Sequence, residues 1–305
     1  MANRGAAVVF MEECSGLCSA VCGLYHFSFA EYTMRLPLSC LLSIFMLAPV
    51  LTAQEPATTA PAASAPKVVD TDWPSIPKDR LELEKWSTRH AAILEAEKTR
   101  KPNLIFIGDS ITQRWEAAGT RPETDYVSVF NHFYGDRNAM NLGFSGDTTA
   151  NVLWRIDHGE VDNFRPAVAV MLIGTNNNGA GRTTPAPRTA AAIELIVKEL
   201  HQKQPQMKIL IIGILPKQTS PEKLEIDHNV NVMVAHDLAA DKLVTVLDIG
   251  SIFYRKDGTL NLDLYADQKV HPDHPALHPT AIGLRMEAQA IEPTLAALLG
   301  DQPKP

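Results

Sequence analysis

Four short stretches of this chain hold residues that could perform acyl chemistry together. The first is Gly108-Asp109-Ser110-Ile111-Thr112. A serine at a strand-to-helix turn presents its hydroxyl at the edge of a sheet, where the positive end of the helix dipole stabilises developing negative charge. The second is Asn141-Leu142-Gly143-Phe144-Ser145-Gly146-Asp147-Thr148, in which Gly146 can offer an unhindered backbone N–H to an oxyanion. The third is Gly174-Thr175-Asn176-Asn177-Asn178, where the Asn176 side chain can donate to the same oxyanion. The fourth is His271-Pro272-Asp273-His274-Pro275-Ala276-Leu277-His278-Pro279. Pro279 suits the first position of a final helix, so His278 stands at the turn into it and can act as base to a serine.

Taken singly, each has a plainer reading. Ser110 could cap its helix, Gly146 could be a turn glycine, and Asn176 could belong to a polar turn. Ser145 is a rival nucleophile, but Asp147 stands where a G-x-S-x-G elbow needs its second glycine. Position is what separates these readings, so the elements that carry the four stretches matter. Leu104–Ile107, Ala139–Leu142, Val168–Ile173, Ile209–Ile214 and Leu243–Leu247 read as strands covered on both faces, the mark of a parallel sheet. Helical stretches surround them at Pro77–Thr99, Thr148–Ile156, Ala190–His201, Lys223–Ala240 and Pro279–Leu299. The alternation predicts an α/β domain: a three-layer αβα, doubly wound, flavodoxin-like fold on a five-stranded parallel sheet. Ligands of such sheets bind beyond the carboxyl ends of the strands. The first three stretches follow directly on strands one, two and three.

With those places fixed, the chain resembles the SGNH/GDSL hydrolases, whose name gives the Ser, Gly, Asn and His of four sequence blocks. The matching residues here are Gly108-Asp109-Ser110, Gly146, Gly174-Thr175-Asn176 and His278. Ser145–Asn177 (SGDTTANVLWRIDHGEVDNFRPAVAVMLIGTNN) is similar to the branch of platelet-activating-factor acetylhydrolase catalytic subunits. The likeness spans roughly residues 85–300. It implies a serine esterase acting on short-chain acyl, above all acetyl, esters, including those of carbohydrates. On that reading Ser110 is the nucleophile and His278 the base, and the backbone N–H groups of Ser110 and Gly146 with the Asn176 amide form the oxyanion hole. No cofactor or metal is expected. The family's acid stands three residues before the histidine, and that position is Pro275 here. Asp273 and Asp267 are the remaining candidates. The shorter loop is easier to hold rigid and favours Asp273.

Composition bounds the rest. The 305 residues are 45% hydrophobic and 21% charged with net charge −7, a globular make-up with no long-range attraction to nucleic acid. All four cysteines, Cys14, Cys18, Cys22 and Cys40, precede residue 41, so the body has neither disulfide nor thiol nucleophile. Met34-Arg35 followed by the apolar Leu36–Val50 and Leu51-Thr52-Ala53 reads as a signal peptide over 34–53, with Met34 the expected start. The expected organisation is an N-terminal extension and signal over 1–53, an Ala/Pro/Thr-rich linker over 54–70 and a hydrolase domain over 71–301. An exported, periplasmic or secreted protein without a stable membrane anchor after cleavage follows. Its partner would be a small ester or an acetylated carbohydrate. Oligomeric state is not legible.

Two rival readings compete. His271, His274 and His278 have metal-like density, but Pro272, Pro275 and Pro279 break the helix that would align them. A catalytically inactive carbohydrate-binding module with the same fold would be favoured had Ser110, Asn176 or His278 been missing. The segment Gly179–Arg188 could be a lid or a linker.

Overall fold

Short Val/Ile/Leu runs that lack polar alternation need cover on both faces, and the computed structural model supplies it. The structure describes residues 74–179, 181–270 and 273–305. The extension, the signal-like segment and the linker therefore lie outside the described residues. The strands are β1 (Leu104–Gly108), β2 (Ala139–Gly143), β3 (Val168–Leu172), β4 (Lys208–Ile212) and β5 (Val244–Leu247). They form one parallel sheet in the order β2-β1-β3-β4-β5. The helices are α1 (Glu84–Thr99), α2 (Ser110–Gln113), α3 (Tyr126–Tyr134), α4 (Thr149–Asp157), α5 (Ala186–Lys203), α6 (Pro221–Asp237), α7 (Asp267–Val270) and α8 (Ala281–Leu299).

The pleat assigns alternate strand residues to two cores. Ile105, Ile107, Met140, Leu142, Ala169, Met171, Ile209 and Ile211 pack with residues of α1, α4, α5 and α6. Leu104, Phe106, Val168, Val170, Leu210 and Ile212 pack with α3 and α8 on the other face. This is the expected three-layer αβα architecture. The chain leaves β1 for β2 on one side and returns to β3 on the other, so the crevice at the carboxyl ends of β1 and β3 is the topological switch point.

Several element ends differ from the sequence expectation. Helix α1 starts at Glu84, not Pro77. The residues before it instead run along α4: Lys78 N–H donates to Ala150 O (3.0 Å), and Asn151 Nδ2 donates to Lys78 O (2.8 Å). Helix α3, capped by the Asp125 carboxylate on Ser128 N–H, is additional to the expected set. Helix α8 is capped by Thr280, whose Oγ1 accepts from Gly283 N–H at 3.1 Å, so Pro279 lies outside it. A side-chain cap stabilises such an end by about 1 kcal/mol, enough to override the proline cue.

Candidate active site

Strand β1 delivers Gly108 to a turn with no room for a side chain. A Cβ there would stand 2.1 Å from Thr112 Oγ1 and 2.4 Å from the Leu172 carbonyl. Asp109 caps α2, accepting from Ile111 N–H at 2.9 Å, and Ser110 is the first helical residue. Strand β2 braces the same turn through Asn141, whose Nδ2 donates to Thr112 O at 2.8 Å.

Ser110 Oγ lies 2.9 Å from His278 Nε2, and His278 Nδ1 lies 2.9 Å from Asp267 Oδ1. The other Asp267 oxygen accepts from the backbone N–H groups of His278 (2.6 Å) and Leu277 (2.9 Å). Burial opposes a charge on Asp267, but the hydrogen bonds from the His278 ring and from these two amides hold its carboxyl well below the usual carboxylate range. An ionised carboxylate only accepts, so the His278 proton sits on Nδ1 and Nε2 is left as acceptor for the Ser110 hydroxyl.

Of the two candidate acids, Asp273 and Asp267, it is Asp267 that the structure brings to the histidine. Asp273 is exposed, and the His278 ring nitrogens are engaged by Ser110 and Asp267. The reason is a tertiary pairing. Tyr265 and Pro279 form an antiparallel bridge, Ala266 N–H donates to His278 O at 2.8 Å, and Thr280 N–H donates to Leu264 O at 2.7 Å. Asp267 is thus laid beside Leu277 and His278. The intervening loop is tied down where it returns, since Gln218 N–H donates to Ala276 O (2.7 Å) and Ala276 N–H to Gln218 Oε1 (3.1 Å). Of the metal-like histidines, His271 lies outside the described residues, and both ring nitrogens of His278 are engaged by Ser110 and Asp267.

Gly146 follows β2 with φ +78°, a left-handed backbone suited to glycine. Its N–H has no acceptor among the described residues. Asn176, in the turn after β3, directs Nδ2 to Asp147 O (2.9 Å) and, more weakly, to Asp109 Oδ2 (3.3 Å). Ser145 is exposed; its N–H donates to Gln113 Oε1 at 2.7 Å. No histidine among the described residues hydrogen-bonds its hydroxyl.

The sequence reading missed a buried ionic network under this turn. Asp147 accepts from Trp86 Nε1 (2.7 Å), Arg155 Nε (2.8 Å) and Arg80 Nη1 (3.2 Å). Arg155 also pairs with Glu160, which meets His90 Nδ1 at 3.1 Å. A basic residue on α4 eight positions after an acid, Arg155 after Asp147, is a weak sequence cue. Burial also pushes the Asp109 carboxyl up to about 7 and that of Glu287, on α8, up to about 8. An open cavity of about 600 Å³ lies over the serine, lined by Ser110, Gln113, Arg114, Glu116, Ala117, Ser145 and His278.

Comparison with known proteins shows the family. The profile of the GDSL-like lipase/acylhydrolase family matches residues 106–286. Platelet-activating factor acetylhydrolase IB subunit alpha1 of Bos taurus is 29% identical over 216 residues, covering 70% of this chain and 84% of that protein. The alpha2 subunit of Gallus gallus is 31% identical over 179 residues, covering 58% and 72%. A solved structure from Streptococcus pneumonia, described as a candidate platelet activating factor, shares the fold with a TM-score of 0.56 at 19% identity, covering 70% of this chain and 96% of that one.

Proposed function

The chain belongs to the GDSL-like lipase/acylhydrolase family and is a carboxylic-ester hydrolase, and from that premise we propose that it removes short acyl groups, chiefly acetyl, through an acyl-serine on Ser110. The observation that carries this reading is the continuous hydrogen-bond chain Ser110–His278–Asp267.

Ser110 Oγ attacks the ester carbonyl carbon while His278 Nε2 takes its proton, and the carbonyl π electrons move onto oxygen. Asp267 keeps the Nδ1 proton in place and stabilises the imidazolium; it is not itself protonated. The oxyanion is held by the N–H groups of Ser110 and Gly146 and by Asn176 Nδ2, which exchanges its long contact with Asp109 for the new charge. Each such donor lowers the barrier by about 3–4 kcal/mol. The tetrahedral carbon then releases the alcohol, whose oxygen receives the proton from His278. Water, deprotonated by the same imidazole, attacks the acyl-serine and frees the carboxylic acid and the Ser110 hydroxyl. No step requires a cofactor.

The acetyl preference is supported by the acetylhydrolase subunits to which the chain is similar. The open cavity leaves room for a bulky alcohol such as a sugar. The signal-like segment 34–53 supports action outside the cytoplasm. A panel of p-nitrophenyl esters from acetate to octanoate, run beside acetylated xylan and acetylated monosaccharides, tests the reading. The expected result is a kcat/KM maximum at acetate with release of acetate from at least one sugar ester. A maximum at octanoate would replace acetyl with a long acyl chain.

A further inference from the structure

Arg80 lies in the segment before α1, well ahead of the four motif stretches, yet it reaches the turn that holds Gly146. Its Nη1 donates to the Ser145 carbonyl at 2.7 Å and to Asp147 Oδ1 at 3.2 Å. These are the two residues on either side of Gly146. One nitrogen therefore bridges the turn from its first residue to its last. The guanidinium also lies against the glycine itself: a Cβ on Gly146 would stand 3.0 Å from both Nη1 and Nη2.

Resting on the acyl-serine reading above, we propose that Arg80 is a positioning residue that clamps the Ser145-Gly146-Asp147 turn so that the Gly146 N–H points at the developing oxyanion. The turn needs such a clamp. Gly146 has no side chain to lock it in its left-handed backbone, and Ser145 is exposed. A donor must stand at hydrogen-bond distance, about 2.7–3.1 Å, from the place the oxyanion will occupy, and a misplacement of about 1 Å can cost about 100-fold in rate.

The clamp is separable from the fold. Asp147 keeps Arg155 and Trp86 as partners when Arg80 is removed, so no buried carboxylate is orphaned. The segment bearing Arg80 is also held by Lys78 N–H on Ala150 O and by Thr149 Oγ1 on Pro74 O at 3.2 Å. Arg155 differs: it is fully buried between Asp147 and Glu160, and its loss would strand both.

The test compares wild type, Arg80→Met, Arg80→Lys and Ser110→Ala on p-nitrophenyl acetate. Each is also measured for inhibition by a trifluoromethyl ketone, whose tetrahedral adduct carries the oxyanion, and for thermal stability. Arg80→Met should lose about 10- to 100-fold in kcat and weaken ketone binding by a similar factor, with KM within about twofold of wild type. Guanidinium at sub-denaturing concentration should restore part of that kcat and leave wild type unchanged. Lysine ends one bond short of the Ser145 carbonyl, so Arg80→Lys should fall between the two; it carries the test if Arg80→Met does not fold. Wild-type kcat and ketone affinity in the variants would overturn the clamp, as would parallel loss of kcat, KM and stability with no rescue. An active Ser110→Ala protein would instead overturn the acyl-serine reading.

Discussion

Asp267 Oδ1 stands 2.9 Å from His278 Nδ1 across eleven residues of sequence, and the same carboxylate binds the backbone N–H of the histidine it orients. One side chain thus fixes both the ring and the main chain of the base. Asp267→Asn should lower kcat on p-nitrophenyl acetate by about 10³–10⁴-fold, because the amide favours the wrong imidazole tautomer. Asp273→Asn, at an exposed site while Ser110 and Asp267 engage the His278 ring, should leave kcat within about twofold. Small and equal losses in both would mean a Ser–His dyad that needs no acid.

The nucleophile is tested by labelling. A fluorophosphonate should modify Ser110, whose hydroxyl has an imidazole nitrogen at 2.9 Å to accept its proton. Peptide mapping of the labelled protein reads the site directly. Ser110→Ala should abolish labelling and lower kcat by several orders of magnitude while the melting temperature stays near wild type. Adduct on Ser145 would move the chemistry to the other serine in the cavity.

The parts of this site that were legible from sequence are those fixed by strand ends. Ser110, Gly146 and Asn176 follow β1, β2 and β3 directly, so a reading of apolar runs also places the residues after them. His278 was legible from its motif and its place before the last helix. Asp267 was not, because its register against His278 is set by the Tyr265–Pro279 bridge, a pairing between distant residues that leaves no local pattern. Spacing alone favoured Asp273, since nothing in the sequence says that Asp267 is laid beside Leu277 and His278. Arg80 escaped for a related reason. Its segment has helical composition but is drawn off the helix by hydrogen bonds to α4. The nine-residue helix α3, with its cap at Asp125, lies between turns that hid its periodicity.

Gly146→Ala tests the oxyanion turn itself. Alanine at φ +78° costs about 1 kcal/mol or more, and the added methyl would press on the Arg80 guanidinium at 3.0 Å. The guanidinium is the end of a flexible side chain and can yield, so the protein should fold with a modest fall in melting temperature. The turn would then be displaced, and kcat should drop about 100-fold with little change in KM. A variant with lower stability but unchanged kcat would show that the Gly146 N–H takes no part in turnover.

Glu287 gives a prediction for stability against pH. It is buried on α8, its Oε2 has no hydrogen-bond partner among the described residues, and Asp109 adds a like charge nearby. Burial, then repulsion from Asp109, pushes its carboxyl from 4.5 up to about 8. In the unfolded chain the proton leaves near pH 4.5, whereas the folded protein keeps it until about pH 8. Between those values the folded state binds more protons, so stability is fully present below pH 4.5, declines as pH rises, and levels off above about 8. The decline is at most about 1.4 kcal/mol per pH unit for one proton. Glu287→Gln removes the titration. Its urea-unfolding free energy should match wild type near pH 4 and exceed it by roughly 2–4 kcal/mol at pH 9. Identical slopes in the two proteins would mean that Glu287 is already ionised in the fold, with its charge compensated inside the core.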